Sequence, residues 1–494
     1  MSQQLTIEGE GFGPDVPVST DCFIGAERVA GEGEPFEVTS PIDGRSLGTM
    51  CSASAAQVER AVRAATAAFP AWAALGPRRR KEILMRFAQG ISARKAELSI
   101  VETRDNGSLL IANQKRLVDR AAQNIRFFAE FACDAPPVMI AGHVDNHVHH
   151  APAGVAALIT PWNAPLMLST WKVGPALAAG NTVVLKPPEW APLSCSMLAD
   201  IAQQAGIPGG VFNVVQGTGS VTGQALIEQT GLARISFTGS TDTGRRVAKA
   251  AAESVTPASL ELGGKSPFIV FADANLDEAA KTVAAQFGNA GQVCLAGTRV
   301  IVDATVAEDF ERRVRKAAEP FVVGDPRTRG VRVGPLIHPR QLERVDGFVQ
   351  RALAQGAKAM IGGGPAEQGG LYYQPTILHK VEQQSEIVQH EVFGPVLTWQ
   401  TFGSEDEALR LANGTEYGLA AMLYTGSAGR AERVAAGLVA GTVWVNCFFV
   451  RDLAAPFGGA RSSGIGREGG QHSFDFFCDI KNVAIARDSF TEES

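Results

Sequence analysis

Apolar positions recur three and four residues apart from residue 55 onward, and the spacing predicts helices over 55–75, 77–100 and 118–133. The third ends before Ala135-Pro136-Pro137. From Gly154 the period changes. Short β-branched runs at 155–160, 182–186, 211–215 and 235–238 read as strands, and amphipathic stretches at 168–179, 193–205, 221–229 and 243–253 read as helices. A second alternating block starts near Ser266. Its strands fall at 268–271, 299–302, 395–401, 421–424 and 442–445, and its helices at 276–287, 306–318, 340–356, 405–412 and 428–436. Such alternation predicts an α/β fold with doubly wound parallel sheets. Ligands bind such sheets beyond the carboxyl ends of the strands. The first fifty residues are punctuated by Gly and Pro, with short β-like pieces such as 21–24. Two strand-like pieces, 137–152 and 474–487, are left over to pair with each other or with another chain.

Composition narrows this picture. With 494 residues the chain exceeds one hydrophobic core and predicts two or three domains. Glycine, at 53 residues, exceeds the usual ~7% and points to many tight turns or to backbone passing close to a ligand. The net charge is −6 and the densest basic run is Arg78-Arg79-Arg80-Lys81, which reads as a solvated helix start; no basic face for nucleic acid is visible. Seven cysteines without a C-x-x-C pair speak against a disulfide framework or zinc site and for a reducing, cytoplasmic setting. Neither a signal peptide nor a membrane-length apolar run is seen. Four histidines between His143 and His150 alternate with strand periodicity, so the segment reads as an exposed strand rather than a metal site.

Five short segments carry chemistry. Cys294 follows a glycine-broken turn, Gly288 to Val293; it is either a small core residue or a nucleophile. Glu261 precedes Gly263-Gly264, where a carboxylate can reach a water as general base, or it simply ends a strand. Asn163 sits between Pro161 and Pro165 at a strand end. It suits either a plain turn or donation to an oxyanion. Phe237-Thr-Gly-Ser240 to Gly244 is a strand, glycine turn and helix start, a weak phosphate signal alone. Lys186 and Glu189 lie just past a strand, where an acid beside a ribose favours NAD over NADP.

Together these segments resemble the NAD(P)-dependent aldehyde dehydrogenase superfamily over about residues 20–487. The resemblance also includes Trp171-Lys172 to Gly180-Asn181, Glu391-Val-Phe-Gly-Pro395 and Pro456-Phe-Gly-Gly459. It implies a Rossmann-like NAD-binding domain (1–136 and 153–263), an α/β catalytic domain (264–473) and a small β oligomerisation domain (137–152 and 474–494). It further implies Cys294 as nucleophile, Asn163 and the Cys294 N–H as oxyanion donors, and Glu261 as the base that hydrolyses a thioester. Hydrolysis by such a base argues for release of a free acid rather than acyl transfer to coenzyme A. Lys186 and Glu189 would hold the adenosine ribose of NAD, with Gly239, Ser240 and Gly244 at the pyrophosphate and Glu391 and Phe393 at the nicotinamide riboside. Trp162, Lys172 and Leu262 would belong to the same cofactor neighbourhood.

Within the superfamily, Thr160 to Lys172, Val450-Arg-Asp-Leu453, Gly464 to Gly470 and Ser473 to Phe477 resemble the muconic-semialdehyde dehydrogenases. These enzymes oxidise semialdehydes from aromatic ring cleavage. That branch implies Arg120 and Arg451 as ligands of a distal substrate carboxylate, with Phe457 beside them. Structural ion pairs with Asp119 or Asp452 are the alternative. Cys447-Phe448-Phe449, Val293 and Leu295 depart toward apolar character and favour an aromatic or other hydrophobic aldehyde as the second reading. A homo-oligomer, dimer or dimer of dimers, is implied, with no nucleic-acid, membrane or metal partner.

Overall fold

Strands such as Val155–Ile159 and Thr182–Lys186 are buried at every position, so they need cover on both faces, which helices following each strand provide. The computed structural model describes residues 3–134 and 138–486. Residues 1, 2, 135–137 and 487–494, which include the expected helix stop and the expected domain boundary at 136/137, lie outside the described residues.

The first sheet runs Gly464–Ile465, Ala258–Glu261, Leu232–Thr238, Val155–Ile159, Thr182–Lys186, Phe212–Val214, Cys22–Ile24 and Glu27–Val29. Its five middle strands are parallel, and the outer pairings are antiparallel. The second sheet runs Lys358–Ile361, Thr376–His379, Val396–Phe402, Arg299–Asp303, Pro267–Val270, Ala420–Tyr424 and Thr442–Val445. It is parallel except at its first pair. The third joins Cys478–Ala486, Val144–Pro152 and Val138–Ala141, all antiparallel. The leftover strands therefore pair with each other, and the His-bearing segment is their central strand.

Several expectations are corrected. The helix over 77–100 is two helices, Gly76–Ala93 and Lys95–Asn106, broken at Arg94, whose backbone leaves the helical region and whose guanidinium pairs with Glu97 at 2.6 Å. The helix over 221–229 is a π-turn, Gly219–Gly223, followed by Gln224–Ile227. Residues 474–477 are not strand: Gly470–Phe477 is helical and turns Phe474 onto Phe131, ring centroids 5.6 Å apart. Its aromatics mimic β-propensity, and packing overrides that preference. The strand Gly464–Ile465 pairs with Leu260 and Glu261, so the chain returns to the first sheet before residue 473.

Candidate active site

The turn before Cys294 is bent by three successive left-handed residues: Asn289 and Ala290 at φ +52°, and Gly291 at φ +66°. A Cβ on Gly291 would lie 2.0 Å from the Gly394 carbonyl oxygen, so only glycine lets this turn press against the segment carrying Glu391 and Phe393. Asn163 Nδ2 donates to the Gln292 carbonyl at 2.9 Å, and Asn289 Nδ2 donates to the Asn163 carbonyl at 3.2 Å. These bonds bind the Pro161–Pro165 turn to the nucleophile turn. One Asn163 amide hydrogen is engaged there, which leaves the second for another acceptor.

A cleft of about 590 Å³ opens where the two sheets face each other. Cys294, Glu261 and Asn163 all line it, with Arg451 and Phe457 at the same end. Burial pushes the Cys294 thiol up to about 12, and the Glu391 and Glu261 carboxylates add to the rise while Arg451 opposes it. Glu261 is 5% exposed, and its Oε1 has no hydrogen-bond partner. Burial, and next the Glu468 carboxylate, hold it well above the usual carboxylate range; Lys172 and Arg451 pull the other way. Gly458 gives it room, since a Cβ there would lie 2.8 Å from Glu261 Oε1.

Trp162, Gly239, Ser240, Leu262, Glu391 and Phe393 line the same cleft. Ser240 caps the helix Thr241–Glu253, its Oγ accepting the Thr243 N–H at 3.3 Å, so a 13-residue helix points its N-terminus at the cleft. Gly244 lies in the first turn, and a Cβ there would meet the Leu262 side chain at 2.4 Å. Glu391 Oε1 accepts the Gly264 N–H at 2.9 Å, and burial raises its carboxyl to about 7. A Cβ on Gly263 would lie 2.4 Å from Glu391 Oε2, so the glycine pair forms a cradle for this carboxylate. Phe393 adopts φ +58°, and its ring meets the Trp162 ring edge-on at 5.2 Å. Lys186 and Glu189 pair at 3.1 Å beside Trp190, which reaches the cleft. Burial lowers the Lys186 ammonium, and although burial opposes it, Lys186 keeps the Glu189 carboxyl below its ordinary value. Helix N-terminus, paired ribose-type polar groups and a cradled carboxylate form a donor and acceptor set that fits a dinucleotide.

Five expected residues do not line the cleft: Lys186 and Glu189, whose neighbour Trp190 does, Gly244 behind Leu262, and Lys172 and Arg120. Lys172 does not line the cleft; its buried Nζ donates to Glu468 Oε1 at 2.6 Å and Ser236 Oγ at 2.8 Å. It lies on helix Pro165–Ala179, close enough for its charge to act on Glu261. Arg120 is half-buried behind the cleft wall, with one guanidinium nitrogen donating to the Arg451 carbonyl at 3.3 Å. Asp119 pairs with Lys95, and among the described residues Arg120 makes no direct ion pair, although the Asp452 charge acts on it. Glu468, absent from the expected set, lines the cleft and also accepts the Trp171 indole N–H at 2.5 Å. Its only sequence signal is an acid inside a glycine-rich run.

Arg451 is held by rings. Its guanidinium lies 3.9 Å from the Phe457 centroid and 5.1 Å from the Trp171 centroid. Among the described residues no carboxylate forms an ion pair with it.

The model of the aldehyde dehydrogenase family matches residues 29–483. The 2-hydroxymuconic semialdehyde dehydrogenase of Pseudomonas sp. strain CF600 is 42% identical over 479 residues, covering 94% of this chain and 98% of that protein. The human 2-aminomuconic semialdehyde dehydrogenase is 40% identical over 440 residues, covering 87% and 90%. The crystal structure of an indole-3-acetaldehyde dehydrogenase with NAD+ superposes with a TM-score of 0.93 at 38% identity, over 95% of this chain and 97% of that one.

Proposed function

This chain belongs to the aldehyde dehydrogenase family and oxidises aldehydes with NAD; from that premise we propose that its substrate is a semialdehyde bearing a distal carboxylate, of the hydroxymuconic type. The unpaired Arg451 guanidinium carries this reading. It shares the cleft with Cys294 and has two aromatic faces, and among the described residues no acid lies within ion-pair distance of it, although Glu468 and Glu261 act on it from farther off. A half-buried guanidinium without a direct partner has its fork free, and a substrate carboxylate meets that fork bidentately. The CF600 and human relatives are named for muconic semialdehydes, which fits this reading.

Glu391, Ser240 and the Lys186–Glu189 pair would hold NAD, with Gly239 and Gly244 letting the Ser240 turn pack against Phe237 and Leu262. Bound NAD supplies the hydride acceptor. Cys294 gives up its thiol proton to water in the cleft, the Sγ thiolate attacks the aldehyde carbon, and the free Asn163 amide hydrogen and the Cys294 N–H meet the oxyanion. Once the carbon is at the thioester level, Glu261 takes a proton from the water that attacks it. The acid then leaves free, without transfer to coenzyme A. Outside the site, the sheet of 138–152 and 478–486 joins subunits into a dimer or dimer of dimers; Met139, His147 and Val483 align across it, with Met139 63% exposed. Among the described residues no helix is long and apolar enough to cross a membrane.

The second reading is an uncharged aromatic aldehyde. Phe448, Phe449, Val293 and Cys447 pack on the same core as Cys294, and Trp162, Trp171, Phe393 and Phe457 line the cleft itself. The test compares kcat/KM for a semialdehyde acid and its uncharged analogue in wild type and Arg451→Ala. The acid is expected to be favoured about 10²-fold in wild type, the order of one charge-assisted pair at 1.5–3 kcal/mol. A small preference that survives Arg451→Ala sinks the carboxylate reading in favour of the aromatic one.

A further inference from the structure

Four half-buried aromatic rings stand in a row at the cleft. The Phe393 and Trp162 centroids lie 5.2 Å apart, those of Trp162 and Trp190 6.0 Å, and those of Trp190 and His338 4.4 Å. Phe393, Trp162 and Trp190 line the cleft, and His338 backs Trp190 without lining it. The last contact differs in kind. Its ring planes are 4° apart, a face-to-face stack, whereas Phe393 meets Trp162 edge-on.

The origin of each ring decides what the row can do. Trp162 and Trp190 follow the strands Val155–Ile159 and Thr182–Lys186 of the first sheet. Phe393 precedes the strand Val396–Phe402 of the second sheet, and His338 caps the helix Pro339–Ala354 on the same side. The row therefore crosses from the second sheet to the first and back again. Its anchors are firm. The Leu193 N–H donates to Asp105 Oδ2 at 2.7 Å and holds the segment behind Trp190. The Ile337 N–H donates to Gln292 Oε1 at 2.9 Å, which ties His338 to the nucleophile turn. Between these anchors the rings alone make the joint: among the described residues no hydrogen bond or ion pair connects 187–192 to 336–341. His338 Nδ1 accepts the Arg340 N–H at 3.1 Å. Burial, and next Arg340, lower the imidazole from its ordinary value against the pull of Glu189, so a neutral ring faces the indole.

We propose that Trp190 and His338 are positioning residues for the cofactor: their stacked rings clasp the two sides of the cleft, and NAD enters and NADH leaves only when the stack parts. Trp190 directly follows Glu189, so the clasp sits at the corner that would hold the adenosine ribose. Opening steps of this kind often set the rate of product release. The clasp is indifferent to which aldehyde is oxidised.

The test is stopped-flow fluorescence of NADH on the full-length enzyme, with association followed on mixing and dissociation followed on displacement by excess NAD. His338→Asn removes the ring and keeps a side-chain oxygen to cap the helix. It is expected to speed both association and dissociation about two- to tenfold, the scale of one aromatic pair, and to leave Kd within about twofold of wild type. His338→Phe keeps a ring without the cap and is expected to stay near wild-type rates, which separates stacking from capping. Trp190→Ala should match His338→Asn, and the double variant should be no faster than Trp190→Ala alone. Unchanged rates in His338→Asn overturn the clasp, as do effects of the two substitutions that simply multiply. Faster dissociation with unchanged association, and a Kd weakened by the same factor, also overturns it, because the rings would then touch the bound nucleotide without obstructing its path.

Discussion

Replacing Glu261 by Gln isolates the hydrolytic half of the reaction. The exchange keeps the volume of a side chain that is 5% exposed, and Oε1 lacks a partner before the change. The amide brings unsatisfied hydrogens into the same space, a stability cost of about 1–3 kcal/mol that leaves a family of this size folded. What is lost is the proton acceptor for water. General-base catalysis is worth roughly 10²–10⁴ in rate, or about 3–5 kcal/mol of barrier. On the proposed mechanism Glu261 acts only at deacylation, so the first turnover is expected to survive. Stopped-flow absorbance at 340 nm is expected to show a burst approaching one NADH per active site, followed by a steady state slowed by that factor. Electrostatics supplies a second readout. Glu468 helps hold the Glu261 carboxyl above its ordinary value, and Lys172 opposes it. Glu468→Gln removes the repelling charge and frees the Lys172 ammonium from its 2.6 Å partner. The alkaline-rising limb of steady-state turnover should therefore move to lower pH. A steady state within about threefold of wild type in Glu261→Gln, or a burst lost while NAD still binds and the melting curve is intact, refutes Glu261 as the deacylation base.

Three further outcomes follow from single contacts. Gly291→Ala puts a methyl group 2.0 Å from the Gly394 carbonyl oxygen at a residue with φ +66°, so turnover should fall at least tenfold with about 1–3 kcal/mol of lost stability by urea unfolding; wild-type kinetics would show that the nucleophile turn tolerates displacement. Glu391, raised to about 7, is protonated below that pH and ionised above it, so NAD affinity by titration calorimetry should improve as pH rises from 6 to 8, and Glu391→Gln should flatten the profile. Val483→Asp sets a charge in the cross-strand row with His147 and Met139, so sedimentation should report a smaller assembly than wild type; an unchanged mass assigns subunit contact to another surface.

Much of this architecture is legible along the chain because its signals are local. Fully buried strands, glycine turns and cysteine context lie within a few residues of one another, and the segments around Cys294, Glu261, Asn163 and Glu391 do converge on one cleft. What the sequence hides is set by tertiary closure. Lys172 and Glu468 are separated by 296 residues, and only the fold reveals that each consumes the other's charge. Arg120 reads as a substrate ligand from the resemblance; its hydrogen bond to a main-chain carbonyl 331 residues away is set by the fold, and no side-chain pattern encodes it. Phe474, Phe476 and Phe477 look like strand for the same reason, since aromatic propensity says nothing about the helix face that packing demands.

The electrostatics of the cleft also bears on the order of the chemistry. Burial and the Glu468 carboxylate hold the Glu261 carboxyl well above its ordinary range, while Lys172, Arg451 and Arg467 favour its charge. The Cys294 thiol is raised by burial first and by the Glu391 and Glu261 carboxylates next. On the proposed mechanism the two groups act in different half-reactions, so the pH profile of the NADH burst and that of steady-state turnover should report different groups even though the two residues share one cavity; identical profiles would refute that division.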